Sequence, residues 1–379
     1  METVLKIGEA LVGMIWELYW GLALGFILSS IIRAFVSTET ITKSIGGNSV
    51  KSLGISTFFG AISSSCSYAA ASMSRTLMTK GASLSNAVAF LISSTNLVFE
   101  IFIVILSLLG WSFFMGELIG GLFFIGITAI LIAKFFPKRI MDQARAHLKE
   151  PEPMGGHDHS HHQHSEEMHA EHDHSSHMQP SEKGFGAKLK EASGHFVMDV
   201  QMVGKDILIG VIISAFLMVL VPKSFWEMLF LSGDSGLPQF IVLLWNAVVG
   251  ALIAVVSFVC SVGNIVLASV LWYGGISFGG VIAFILSDLI TIPMLQVYKK
   301  YFGLKPMLYL FGFLFLGIIS TALFLDYSFE FLNWIPENPT ESLKIEKDLY
   351  TWNYKTVLNL IFIPTSLLYF FWGKRNMKM

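Results

Sequence analysis

The chain has 379 residues and a formal net charge of −2; 54% of the residues are hydrophobic and only 14% are charged, and the mean hydropathy is +0.64. Such a balance excludes an ordinary soluble globular domain, the lack of a basic excess excludes a nucleic-acid partner, and two cysteines, Cys66 and Cys260, exclude a disulfide framework. What remains is an integral membrane protein, with the lipid bilayer as its first partner.

Crossing a bilayer as a helix takes roughly 20 apolar residues. In chain order the stretches 8–36, 84–109, 111–136, 207–221, 240–258, 279–297, 308–325 and 357–372 reach or approach that length, which predicts an all-α polytopic helical bundle in the inner cell membrane. The first stretch carries Glu9 and Glu17 and is followed by no small-residue cleavage site, so it reads as a retained helix and not as a cleaved signal peptide.

Between the first two stretches, residues 62–73 read ISSSCSYAAASM, a cluster of serines with a tyrosine and a cysteine in apolar surroundings. Sliding the chain on itself by 194 residues aligns this region without a gap with a second one: Cys66 meets Cys260, Ser67 meets Ser261, Gly81 meets Gly275, Ser83 meets Ser277 and Ser93 meets Ser287. Two unrelated apolar stretches would coincide mainly at Leu, Ile and Val. Coincidence at Cys, Ser and Gly points to an internal duplication, which is common in secondary transporters. Each half reads as a long helix, a segment interrupted at Cys-Ser, a glycine turn (TKGAS, YGGIS), a helix with a polar interruption (SSTN, SDLITIP) and a further helix. Pro293 removes a backbone donor and predicts a kink. The expected units are a first membrane repeat over 1–136, a cytoplasmic His-rich linker over 137–198, a second membrane repeat over 199–326, and an external loop with a final transmembrane helix over 327–379.

Basic residues mark the inner side of a membrane protein. Lys374, Arg375 and Lys378 put the C-terminus inside, and Lys299, Lys300 and Lys305 mark an inner loop. Arg33, Lys43 and Lys51 before the first Cys-Ser segment, with Arg75 and Lys80 after it, mark both of its flanks as inner. A segment that crossed would contradict this; a re-entrant hairpin satisfies it. The prediction is two related, inverted repeats with three crossings each, one final helix, and two hairpins that meet near the midplane. The acidic stretch 326–348 then lies outside.

All eleven histidines fall between His147 and His195, most of them in GGHDHSHHQHSEEMHAEHDHSSHMQP. Its polar flanks give no core-forming pattern. Neutral imidazole suits zinc, copper and nickel, so His157, His159, His161, His162, His164, His169, His172, His174 and His177 are the expected metal ligands, with zinc or copper as the bound ion. The plain alternative is a solvated tether, which leaves the density of histidine unexplained.

A polar group at membrane depth must be satisfied by backbone, water or substrate. The expected substrate-facing residues are Ser65, Cys66, Ser67, Tyr68, Ser93 and Asn96 in the first half and Cys260, Ser261, Asn264 and Ser287 in the second. The thiols are either soft ligands or small packing residues. Glu100 and Asp288 lie beside the polar interruptions and are expected to carry protons, since an ionisable residue at that depth is functional by default. Glu17 and Glu117 are weaker candidates, because helix ends can place a carboxylate in water.

The stretch GAISSSCSYAAASMSRTLMTKGASLSNAVAFLISSTN resembles the signature of the predicted-permease family that includes organoarsenical efflux permeases and a branch of copper/zinc efflux transporters. A histidine-rich central loop resembles the copper/zinc branch. Where that family commonly has Pro-Phe-Cys-Ser-Cys, this chain has Ser64-Ser65-Cys66-Ser67-Tyr68, with Tyr68 in place of a second thiol. The resemblance implies secondary efflux of a soft metal ion or metalloid by alternating access, with a small inorganic or organometalloid substrate and no enzymatic activity. Without a P-loop, the energy is expected from an ion gradient. The alternatives are organoarsenical efflux and, in another class, a membrane-embedded thiol redox protein or metal sensor.

Overall fold

A computed structural model describes residues 2–35, 50–63, 67–79, 81–149, 185–231, 236–257, 261–336 and 354–377. Among these residues the chain forms helices and no strand. The first half contains α1 (Glu2–Phe35), α2 (Val50–Ser63), α3 (Ser67–Thr79), α4 (Leu84–Asn96), α5 (Phe99–Leu108), α6 (Trp111–Phe135) and α7 (Lys138–Lys149). The second contains α8 (Phe185–Leu220), α9 (Lys223–Phe230), α10 (Gln239–Ser257), α11 (Ser261–Tyr273), α12 (Phe278–Leu286), a 3-10 turn (Ser287–Ile290), α13 (Ile292–Phe302), α14 (Leu304–Phe331) and α15 (Tyr354–Met377).

The shift of 194 residues reappears in the element bounds. It carries α3 onto α11 end to end, Leu84–Asn96 onto Phe278–Ile290, the last residue of α2 onto that of α10, and the last of α5 onto that of α13. Local chemistry explains the match. Gly81 (φ +97°) and Gly275 (φ +95°) end the preceding helices in a left-handed conformation that glycine adopts without a Cβ penalty. In each turn two amides bond back to the helix: Gly81 N to Met78 O at 3.1 Å and Ala82 N to Leu77 O at 2.9 Å, then Gly275 N to Trp272 O at 3.0 Å and Ile276 N to Leu271 O at 3.3 Å. Ser83 and Ser277 cap the next helices by accepting from Asn86 N at 3.2 Å and from Gly280 N at 3.0 Å.

The helices on the two sides of each Cys-Ser step run in and back as a hairpin. Asn86 Nδ2 donates to Ser52 Oγ at 2.6 Å near the starts of α4 and α2, and farther along both helices Gly60 lies directly against Phe90 and Ser93. These two helices therefore run in together, while α3 runs back, its Ser74 Oγ donating to Ala87 O at 2.8 Å. Likewise Gly280 lies against Asn246 and Gly250 near the open end of the second hairpin, and α10 also packs on the 3-10 turn deeper in. Although α10 is long and apolar enough to cross, it stops at the level of that turn and α11 returns the chain to α12.

Two spans are broken. α4 and α5 meet at 43°, and Phe278–Ile290 meets α13 at 41°. Pro293 stands in the first turn of α13, just past the second bend. The first bend has no proline and forms where Leu97 leaves helical geometry at φ −101°, ψ 43°.

α6 and α14 lie antiparallel: the rings of Phe136 and Tyr309 are 5.8 Å apart, Gly317 packs on Phe124 and Thr128, and Gly120 packs on Thr321 and Leu325. Where α6 ends and α14 begins, Gly303 lies against His147, Gly373 of α15 packs on Ser193 of α8, and the Arg75 guanidinium sits 5.1 Å over the Tyr301 ring. Lys134, Lys138, Arg139, Lys299, Lys300, Lys305, Lys374 and Arg375 fall at this basic end. At the far end Gly116 meets Phe278, Gly274 meets Trp226, and Gln239 Nε2 donates to both oxygens of Glu330 at 3.1 and 2.9 Å. Because α5 turns into α6 at the far end, α4 starts at the basic end. The first hairpin therefore opens at the basic end and the second at the far end.

Length and composition mark five helices as candidate spans, or seven with each bent pair taken as one. Packing replaces α10 by α8, which runs from Ser193 at the basic end to α9, whose Trp226 marks the far end. One expectation changes. α14 continues to Phe331, so Asp326 does not open an outer loop; it is buried and caps α12, accepting from Gly279 N at 2.6 Å and from Ser277 Oγ at 3.0 Å.

Candidate functional site

The inner end of the first hairpin lies on the break of the second half. Ser67, the first residue of α3, donates through Oγ to Asp288 Oδ2 at 3.3 Å. Asp288 sits in the 3-10 turn between α12 and α13 and is 3% exposed. The sequence analysis singled out both residues for separate reasons, one as a serine beside a cysteine and one as an acid beside a helix break. The fold joins them across 221 positions of chain.

Two further buried ionisable groups belong to the same core. Tyr298 of α13 donates through its hydroxyl to Leu289 O, the neighbour of Asp288, at 3.0 Å, bracing the turn, and Glu117 lies on α6, which packs on α12. Glu117 is 0% exposed, and neither of its carboxylate oxygens has a hydrogen-bond partner among the described residues. The sequence undervalued it. Its position near the start of a helix suggested contact with water, whereas α12 and α14 close over that part of α6 through Gly116 and Gly120.

The other expected site residues are placed as follows. Asn264 is fully buried in α11, where its Oδ1 accepts from Ser257 Oγ at 3.4 Å, linking α11 to the last residue of α10. Asn96, also fully buried, ends α4 at the first break and donates to Ile92 O at 3.3 Å and to Thr95 Oγ1 at 3.0 Å; its Oδ1 has no hydrogen-bond partner among the described residues. Ser93 and Ser287 bond back to the carbonyls of Ala89 and Ala283 at 2.8 and 2.6 Å, the ordinary behaviour of a helical serine. Glu100 lies in the first turn of α5, buried, with Gly25 of α1 packed against its Cα and Cβ. Tyr68 is 53% exposed. Ser65, Cys66 and Cys260, the Ser261 side chain, the Glu17 side chain and the histidines from His157 to His177 lie outside the described residues. Among the described residues no three of His, Cys, Asp and Glu gather as a metal site.

Helix ends converge here as well. α3 begins at Ser67, which bonds to Asp288, and α13 begins just after the 3-10 turn that holds Asp288, so the positive ends of two helix dipoles lie beside its carboxylate. Discontinuous helices whose ends meet inside a membrane protein form the ion and substrate sites of many transporters.

The model of a family described as "Predicted permease" matches residues 4–327. A protein of Mycobacterium tuberculosis (strain ATCC 25618 / H37Rv) named "Putative permease Rv2963" is 38% identical over 338 residues, covering 86% of this chain and 78% of the relative. No solved structure matches the chain. The family match runs from α1 through nearly all of α14, so it takes in both hairpins and both breaks, and the chain belongs to the predicted-permease family.

Proposed function

We propose that the chain is a secondary permease that exports a soft metal ion or a metalloid by alternating access of two inverted halves. The observation that carries the reading is the Ser67–Asp288 contact, which brings the hairpin of one half onto the broken helix of the other. Cys66 immediately precedes Ser67 and Cys260 immediately precedes α11, so each hairpin can offer a soft thiolate donor at its inner end. Asp288 and Glu100, buried beside the two breaks, supply the proton exchange. The equal element bounds and the hairpins opening at opposite ends support two inverted repeats. The basic end is the cytoplasmic one by the charge rule for membrane proteins, which places the His-rich linker, between α7 and α8, in the cytoplasm of an inner-membrane protein.

The test is uptake into everted vesicles carrying the full chain, with Cu(I), Zn(II), arsenite and a trivalent methylarsenical offered under an imposed pH gradient. At least one should accumulate, and collapse of the gradient should stop it. Replacing a thiol by a hydroxyl changes volume little but removes the soft donor, so Cys66→Ser and Cys260→Ser should each reduce uptake at normal expression. Full transport by the double variant would reduce the thiols to packing residues and end the soft-ligand mechanism.

A further inference from the structure

α3 and α11 hold equivalent places in the two hairpins and are made of different residues. α11 reads SVGNIVLASVLWY, and its residues 262–272 are all buried, packed among α5, α8 and α12. α3 reads SYAAASMSRTLMT. Its face toward α4 is buried and largely apolar, with Ala70, Ala71, Leu77 and Met78 around Ser74. Its outward face carries Tyr68, Ala69, Ser72 and Thr79, all exposed, with Thr76 half-buried between them; the Thr76 and Thr79 hydroxyls donate to the Ser72 and Thr76 carbonyls at 3.1 and 2.8 Å. Residues 68, 72, 76 and 79 fall on one stripe at helical spacing. The shift of 194 residues sets Val262, Val266 and Val270 opposite Tyr68, Ser72 and Thr76.

Elsewhere the outward faces are what lipid requires: Phe58 on α2, Leu122 and Ile130 on α6, Leu252 and Val256 on α10, and Leu316 on α14 are exposed apolar side chains. α3 is apolar inside, and outside it exposes no large aliphatic side chain, only small or hydroxyl-bearing residues and Tyr68. A hydroxyl bonded back to its own helix is tolerated in hydrocarbon, but a face without large aliphatic side chains gains little from lipid, whereas water hydrates its hydroxyls. The stripe starts beside Ser67, which holds Asp288, and ends at Thr79 at the basic end, flanked by Arg75 over Tyr301.

We propose that the outward face of α3 lines a water-filled vestibule leading from the basic end to the Ser67–Asp288 contact, and that a small hydrated substrate reaches the site along it. The vestibule stands on the chemistry and exposure of α3 alone, and its role as the substrate's route rests on the permease reading above. Arg75 marks its basic-end flank, where its ring contact with Tyr301 ties the first hairpin to the second half. α11, apolar and packed against α8, presents no such face to the far end among the described residues.

The experiment is cysteine accessibility in membrane vesicles of both orientations, using a charged, membrane-impermeant methanethiosulfonate. Ser72→Cys and Thr76→Cys are the test positions, Lys134→Cys marks the basic end, Phe58→Cys marks the lipid face, and the parent chain gives the background from Cys66 and Cys260. The vestibule predicts that Ser72→Cys and Thr76→Cys react from the same side as Lys134→Cys, at least about tenfold faster than Phe58→Cys, because only a hydrated thiol ionises to the reactive thiolate. Reaction no faster than at Phe58→Cys overturns the vestibule, whether or not the chain transports anything. Reaction from the side opposite to Lys134→Cys overturns its direction. If Ser72→Cys is modified to completion and uptake is unchanged, the vestibule stands and its use as the substrate's route falls.

Discussion

Ser67 donates to Asp288 at 3.3 Å, and the two residues belong to opposite halves of the chain. At 3.3 Å the bond is longer than the usual O–H···O range of about 2.5–3.0 Å, so it is worth less than the roughly 1.5–3 kcal/mol of a well-formed bond to a charged group. Ser67→Ala and Asp288→Asn should each lower uptake, and the double variant should be less impaired than the product of the two effects, with a coupling of about 1 kcal/mol, or roughly fivefold. Initial uptake rates of the four proteins measure it, and simple multiplication of the two effects would show that the contact does not operate during transport.

Asp326 caps α12 from α14 by accepting from Gly279 N and Ser277 Oγ. Asp326→Ala leaves a buried amide and a hydroxyl without their acceptor, which costs about 1–3 kcal/mol. Asp326→Asn keeps one acceptor oxygen and should lose less. Thermal unfolding of the purified protein in detergent should rank the parent above Asp326→Asn and Asp326→Ala last. Gly279→Ala belongs with the last, because its methyl group would run into the Ala322 carbonyl and the Asp326 carboxylate.

What the sequence made legible was local. Gly81 and Gly275 announce their turns, Ser83 and Ser277 their caps, and Pro293 its bend, because each acts on backbone within a few residues of itself. The hairpins followed from charge, since basic residues on both flanks of the first Cys-Ser segment could not be reconciled with a crossing. Long-range relationships were not legible. Asp326 looked like the start of an acidic loop because its partners lie 47 and 49 positions earlier. Likewise α10 looked like a span by length, and only its contacts with α12 and the 3-10 turn stop it midway. Ser93 and Ser287 were singled out by matching positions, and their hydroxyls bond to their own helices.

Opposite openings of the hairpins give a direct test of sidedness. Lys51 is exposed near the start of α2, and Gln239 is exposed at the start of α10. Lys51→Cys and Gln239→Cys should label with an impermeant thiol reagent in vesicles of opposite orientation. Labelling of both in one orientation would contradict the inverted arrangement.

The His-rich segment joins α7 to α8, both of which meet it at the basic end. Deleting residues 157–177 leaves 14 residues between those helices, which can extend to about 45 Å, so the bundle should keep its melting temperature. Titration calorimetry of the full chain should show zinc or copper binding that the deletion removes. Imidazole must be neutral to ligate, so binding should strengthen as pH rises through about 6.5. Equal metal binding by the deleted chain would return the segment to the status of a tether.

Glu117 offers the sharpest contrast between stability and function. Its carboxyl group is wholly buried and has no hydrogen-bond donor among the described residues. A buried ionisable group without compensation costs stability that an apolar residue of similar size restores. Glu117→Leu should therefore raise the apparent melting temperature in detergent, with Glu117→Gln between it and the parent. If the carboxyl group exchanges a proton with Asp288 during transport, both variants should lose uptake driven by a pH gradient while retaining exchange of substrate for substrate at equilibrium, which moves no net proton. A gain in melting temperature with gradient-driven uptake intact would make Glu117 a packing residue and leave Asp288 and Glu100 as the proton carriers.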